Sequence, residues 1–146
     1  MLMGEYHHNI DEKGRIVIPG KFRDIAKHNL VITRGLEKCL YLYTEEEWNK
    51  LVNKLNTLPF TKKDARTFMR SFFAGATSSE FDRTGRINIT SPLVSYAGLT
   101  KECVIIGVND RIEIWDKEKY DEFMNENSSK LEEIAEHLFE VSNEAL

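Results

Sequence analysis

The sequence predicts a mixed α+β fold built from two similar halves. Three observations lead there. The stretch Asp11-Glu12-Lys13-Gly14-Arg15-Ile16-Val17-Ile18 returns as Asp82-Arg83-Thr84-Gly85-Arg86-Ile87-Asn88-Ile89, displaced by 71 residues. Around each copy, short runs of strand-like alternation give way to stretches with helical apolar spacing. Half of a 146-residue chain is also too small to bury much core alone. The halves therefore share a core, either with each other or with neighbouring chains.

The elements follow in order. Tyr6 to Ile10 is a strand leading into the first turn. Asp at the first position and Gly at the fourth suit a type I turn, the carboxylate capping turn N–H groups and Gly taking positive φ. Arg15 to Ile18 leaves the turn as a strand with Ile16 and Ile18 on one face, and Pro19 ends its ladder because it has no N–H to donate. Lys21 to His28 forms a short helix with Phe22, Ile25 and Ala26 inward. Leu30 to Thr33 and Cys39 to Tyr43 are strands joined through residues 34–38. Thr44 with Glu47 is a capping-box pattern, and the helix it starts carries Trp48, Leu51, Val52 and Leu55. Pro59 stops it. Thr61 with Asp64 opens the next helix, apolar at Ala65, Phe68, Met69, Phe72 and Phe73 and basic at Lys62, Lys63, Arg66 and Arg70. Residues 74–79, small and polar, read as a linker.

The second half repeats the programme. Ser79 to Phe81 enters the second turn and Arg86 to Ile89 leaves it. Ser91-Pro92 starts a helix, with Pro at the first helical position. Cys103 to Gly107 and Arg111 to Trp115 form a hairpin. Asp116 caps a helix bearing Tyr120, Phe123 and Met124. A last helix, capped near Ser129, presents Leu131, Ile134, Ala135, Leu138 and Phe139.

Apolar content of 41% and charged content of 30% are those of a soluble globular chain. No apolar run approaches the ~20 residues a membrane span needs, and Met1 to Glu5 does not read as the start of an export signal. Cys39 and Cys103 lie outside any Cys-x-x-Cys spacing and read as buried thiols in a reducing compartment. The net charge of −4 is unevenly distributed: residues 116–146 hold ten acidic against three basic side chains, so the remainder is net positive. Lys13, Arg15, Lys21 and Arg23 fall within eleven residues. A basic patch on an acidic protein still attracts phosphates at Debye-length distances.

Few residues suggest catalysis. The histidines, His7, His8, His28 and His137, form no i,i+4 pair and have no Cys partner at zinc spacing. Gly-rich phosphate loops, nucleophile elbows and His-Glu-x-x-His motifs are missing from the sequence. Neither an enzyme, a metal nor a cofactor is expected. Arg15 has two readings. It is a surface ion pair with Asp11, worth ~0–1 kcal/mol, or a guanidinium oriented by Asp11 with donors left for a phosphate or a guanine edge. The second copy of the turn and its basic neighbours favour the latter. A two-stranded ribbon with its turn fits the major groove. The basic face at 62–70 reads as solvated.

Met3-Gly4-Glu5-Tyr6, Asp11 through Arg23, Thr33-Arg34-Gly35-Leu36, Leu58 through Arg66, Phe73-Ala74-Gly75-Ala76, Ile105-Ile106-Gly107 and Ile112-Glu113-Ile114-Trp115 together resemble the MraZ family. The likeness covers nearly the whole chain, stopping in the acidic tail. It implies two AbrB-like swapped-hairpin β-barrel repeats with packed amphipathic helices: a first domain at 5–47, a helical connector at 48–75, a second domain at 76–119 and an acidic helical tail at 120–146. It also implies a cytoplasmic, nucleoid-associated repressor of its own promoter and of the division and cell-wall genes behind it. Its partners would be double-stranded promoter DNA with short repeats and further copies of itself in a ring, with no membrane and no small-molecule substrate. Carried over by motif, Lys13, Arg15, Lys21, Arg23, Arg83 and Arg86 would contact DNA, supported by Asp11, Gly14, Asp82 and Gly85. In the second copy Thr90-Ser91 replaces the closing proline and Val94 stands where a basic residue is common, so repeat 2 need not contact DNA equally. The alternative is an antitoxin-like interaction module using the acidic C-terminal helix.

Overall fold

The two halves pair with each other strand by strand. A computed structural model describes residues 1–145, with side chains as far as Glu140. The chain divides into two compact units, Met1–Asp116 and the segment from Lys117 onward. The first holds all the strands: β1 (Leu2–Asn9), β2 (Arg15–Val17), β3 (Asn29–Arg34), β4 (Leu40–Tyr43), β5 (Thr77–Glu80), β6 (Arg86–Asn88), β7 (Glu102–Asn109) and β8 (Ile112–Asp116). Four helices accompany them: α1 (Gly20–Ala26), α2 (Glu45–Leu55), α3 (Lys63–Ala74) and α4 (Ser91–Ala97). The second unit is α5 (Lys117–Asn127) followed, through a 3-10 turn at Ser128–Lys130, by α6 (Leu131–Ala145). None of the described helices is long and apolar enough to cross a membrane.

Six strands form one antiparallel sheet in the order β1-β7-β8-β4-β3-β5, and β2 pairs with β6 in a second, two-stranded sheet. Exchanging β1 with β5, β3 with β7 and β4 with β8 reproduces the first order read backwards. A pseudo-two-fold axis therefore passes between β4 and β8. Each half gives its first strand to the other: β1 lies along β7, and β5 lies along β3. One cluster of buried side chains, drawn from both halves, is the consequence. Ile16, Ile18, Ile87 and Ile89 lie on the inner face of the β2–β6 ribbon and are at most 1% exposed. Burial of each stabilises by roughly 1.5–3 kcal/mol, which ties the ribbon to the core.

Helices α2 and α3 are held to the sheet by aromatic packing. The Trp48 ring stacks on Phe72 at 5.5 Å and meets Tyr43 at 5.8 Å, and the buried Thr33 hydroxyl donates to the Phe72 carbonyl at 2.5 Å. Beside the pseudo-axis, the buried Glu113 carboxylate accepts from Arg111 Nε at 2.9 Å and Nη2 at 2.7 Å, and from Trp115 Nε1 at 2.9 Å. That satisfies a charge which would otherwise be costly to bury.

Several expectations change. The two arms of each turn do not form a hairpin with one another, because their pairing partners lie in the opposite half. Residues 77–79 of the expected linker are edge strand, since Thr77 to Ser79 face β3 in register. Ile25 is 43% exposed; in a helix of two turns only Phe22 and Ala26, at i and i+4, share the inward stripe. The capping box forms only in part: Glu47 N–H donates to Thr44 Oγ1 at 3.2 Å, but the Glu47 carboxylate turns to Lys50. Helix α3 starts after Lys62, without a side-chain cap. No open helix start exists at Ser129, because the 3-10 turn runs α5 into α6.

Candidate nucleic-acid interface

Each turn is built from its aspartate outward. Asp11 N–H donates to the Arg15 carbonyl at 2.9 Å and Gly14 N–H to the Asp11 carbonyl at 3.1 Å, closing the turn. Asp11 Oδ1 accepts from the N–H groups of Lys13 and Arg15, both at 2.9 Å, while Oδ2 accepts Arg15 Nε at 2.7 Å. Asp82 repeats this: Oδ1 takes the N–H groups of Thr84 and Arg86 at 2.9 Å, and Oδ2 takes Arg86 Nε at 2.8 Å. Thr84 adds its hydroxyl to Asp82 Oδ1 at 2.9 Å. A carboxylate engaged through both oxygens leaves the arginine one orientation.

The two turns also lock each other. Ile89 N–H donates to the Gly14 carbonyl at 2.7 Å, and Ile18 N–H to the Gly85 carbonyl at 3.0 Å. Arg86 Nη1 reaches Asp11 Oδ2 at 3.7 Å, crossing from one turn to the other. In the β2–β6 register Arg15 faces Asn88 and Val17 faces Arg86, so both arginines stand on the outer face while the isoleucines point inward. Their side chains are 37% and 31% exposed. Among the described residues the terminal nitrogens of Arg15 have no protein partner, which leaves their four N–H donors unused on a part-exposed side chain.

Both carboxylates are held below the ordinary aspartate range, first by the N–H of the residue four ahead, Arg15 for Asp11 and Arg86 for Asp82, and against an opposing desolvation. A depressed folded value means stabilisation that is complete above the unfolded pKa of about 3.9 and is lost as pH falls through the folded value. The denaturation midpoint should therefore change little from these groups between pH 7 and 5, and fall below about pH 4. Asp82→Asn should be less stable at neutral pH and lose less on acidification; an unchanged acid limb would contradict this.

The predicted residues separate into groups. Lys13 and Arg83 are exposed on the turns, and Lys21 is exposed at the start of α1. Arg23 is different. Half-buried, it donates from Nε to the Ile18 carbonyl at 2.9 Å, and its guanidinium lies against Gly85, where a Cβ would stand 2.6 Å from Cζ. It joins the first half's helix to the second half's turn. Its counterpart by the repeat, Val94, cannot do so and instead lines a cleft beside Gly14. The Arg86–Asp11 crossing and the Arg23 brace are not signalled by motif or spacing, because both depend on which strands pair.

A tandem-repeat protein with one core, and with a pair of interlocked turns presenting arginines on its outer face, is thus defined. The family model described as "MraZ protein, putative antitoxin-like" matches twice, over residues 1–71 and 72–142. A protein of Lactobacillus helveticus (strain DPC 4571) named "Transcriptional regulator MraZ" is 55% identical over 141 residues, covering 97% of this chain and 99% of its own. The chain belongs to the MraZ family. That family places it among transcriptional regulators and not among enzymes.

Proposed function

We propose that the protein is a sequence-specific DNA-binding repressor of its own promoter and of the division and cell-wall gene cluster behind it, working in the cytoplasm at the nucleoid. The single observation that supports this most is the duplicated Asp–Arg turn, with two guanidinium groups held on a short ribbon and donors left over. In this reading Arg15 and Arg86 read base edges or clamp phosphates, since an arginine fork matches both. Lys13, Lys21 and Arg83 hold the DNA backbone, fixing register without reading sequence. Arg23 acts by holding the second turn. We read the exchange of β1 and β5 as an AbrB-like swapped-hairpin barrel with domains at 5–47 and 76–119, a connector at 48–75 and a tail at 120–146. Copies assemble into a ring, so that several turns meet successive short DNA repeats and a weak single contact suffices.

The test is a footprint across the region upstream of the protein's own gene, with affinity measured at several salt concentrations. Protection of short repeated sequences, and an affinity that falls steeply as salt rises, is the expected result. Uniform weak binding with no protected sequence would overturn the reading.

A second reading, an antitoxin-like module that captures a partner protein through its tail, is favoured by the exposed apolar residues of α6: Leu138 is 62% and Phe139 70% exposed. Deleting residues 126–146 separates the two. Affinity for a duplex carrying one repeat should survive the deletion if the turns bind DNA, whereas the second reading expects capture of the partner protein to vanish.

A further inference from the structure

The two turns are alike in backbone and differ in what fills the space beside them. At the second turn Arg23 fills it: its Nε donates to the Ile18 carbonyl at 2.9 Å, and its guanidinium lies against Gly85. Displacement by 71 residues puts Val94 in the place of Arg23, Ile89 in the place of Ile18 and Gly14 in the place of Gly85. Val94 has no side-chain donor, and beside the first turn a cleft of about 320 Å³ stays open.

That cleft holds a buried acceptor that nothing satisfies. Ile89 is 1% exposed, and its N–H is spent on the Gly14 carbonyl at 2.7 Å. Its carbonyl oxygen, the counterpart of the one that Arg23 satisfies, faces Gly14 and has no hydrogen-bond partner among the described residues. Buried backbone carbonyls are seldom left so.

The rim differs between the turns in the sense a cation requires. Asp11 and Glu12 border the first cleft with Lys13. Asp11 is already paired with Arg15, so Glu12 is the carboxylate left over, while the exposed Lys13 ammonium can turn to solvent. At the second turn, where the guanidinium is built in, Arg83 stands in the place of Glu12 and Thr84 in the place of Lys13. Arg23 Nη2 lies 3.5 Å from where a Cβ on Gly20 would stand. The matching position in the first cleft is Ser91, whose hydroxyl can accept. Ile10, Val94 and Leu99 supply apolar wall for an alkyl stem.

We infer that this cleft binds an alkylguanidinium, the side-chain chemistry of arginine, which braces the first turn from outside as Arg23 braces the second from within. One N–H donates to the Ile89 carbonyl, the remaining donors turn to Ser91 and Glu12, and the stem lies along Val94 and Leu99. A guanidinium suits the site better than an ammonium. Its donors are fixed in a plane and it is more weakly hydrated, so one N–H can be buried on a carbonyl while the others face the rim. The cleft is at the small end of the size range that holds small ligands. The inference stands apart from the DNA reading: it concerns the flank of the turn and is measured without DNA.

Isothermal titration calorimetry of the full-length chain, with propylguanidinium as the probe, tests it. Saturable binding at one site per chain, with a Kd of about 1 mM or tighter, is expected. Propylammonium has a similar stem and the same charge but no fork, and should bind at least about tenfold more weakly. Val94→Arg places a guanidinium in the cleft from α4 and should abolish binding of the probe. Should that variant fail to fold, E12K on the exposed rim should weaken the probe at least about tenfold, and an unchanged affinity there would count against the site. N-acetylated, C-amidated arginine in a second arm separates the sources: affinity equal to that of propylguanidinium assigns the site to an arginine of a peptide, and weaker binding assigns it to a free small molecule. No saturable binding of the probe (a cleft that holds water only), equal affinity for propylammonium, or a folded Val94→Arg variant that binds the probe like the wild type each overturns the inference.

Discussion

Replacing Arg15 with alanine is expected to weaken binding to an upstream-promoter fragment at least tenfold while leaving the fold intact. The fold survives because the turn does not depend on the guanidinium. Asp11 Oδ1 still accepts two backbone N–H groups, and the Gly14 and Ile89 hydrogen bonds remain. What is lost in the free protein is a solvent-exposed ion pair, which contributes little to stability, so the melting temperature should move little. A tenfold loss corresponds to about 1.4 kcal/mol, within the ~1–3 kcal/mol that losing an arginine fork from a base edge removes. Lysine at position 15 keeps the charge but not the fork, and should be intermediate. The salt dependence identifies the contact. A phosphate partner predicts a slope shallower by about one with uniform loss over all sequences; a base partner predicts an unchanged slope with reduced discrimination. Arg86→Ala, removing the guanidinium that also reaches Asp11, should lose affinity in the same direction. A gel shift unchanged in Arg15→Ala at matched salt would remove Arg15 from the interface.

The largest effect on stability should come from Gly14→Ala. Gly14 has φ of +80°, and a Cβ there would stand 2.3 Å from the Ile89 carbonyl oxygen. Positive φ alone costs a non-glycine residue about 1–3 kcal/mol, and the clash is with backbone, which cannot swing away. Moving Ile89 also pulls on its hydrogen bond to Gly14 and on the inner face of the ribbon. A loss of about 3 kcal/mol or more is expected, lowering the melting temperature by roughly 6–12 °C. Gly85, at φ +78°, is the internal control: its Cβ would meet the Arg23 guanidinium at 2.6 Å, a side chain that can move. Gly85→Ala should therefore cost less, about 1–2 kcal/mol, while freeing Arg23 from its place. Chemical denaturation of the two variants side by side checks the order; equal losses would contradict the locked-turn geometry.

Much of this was legible in the sequence. The Asp-x-x-Gly-Arg spacing is sufficient to place the carboxylate, the positive-φ glycine and the arginine, because all their contacts are local. Alternation puts Ile16 and Ile18 on one face, and that face is the buried one. It could not say which strand lies alongside, since a period of two specifies a face and not a neighbour. The exchange of β1 and β5 between halves is a long-range choice made by the shared core. Thr77 to Ser79 carry little signal for a related reason: a short polar edge strand has almost no apolar alternation. Charge spacing puts Arg23 among the cations available to phosphate and cannot reveal that its Nε is engaged by the Ile18 carbonyl.

Photocrosslinking from the turns tests the central claim most directly. Cys39 and Cys103 are fully buried, and burial above all pushes the Cys39 thiol up and the Cys103 thiol up to about 12, so neither should compete for a thiol-specific label. A photoreactive group on a cysteine placed at Lys13 or Thr84 should cross-link to the promoter duplex, and one at the exposed Asn53 of α2 should not. Cross-links from position 53 with none from 13 or 84 would mean that the paired arginine turns are not where this protein meets DNA.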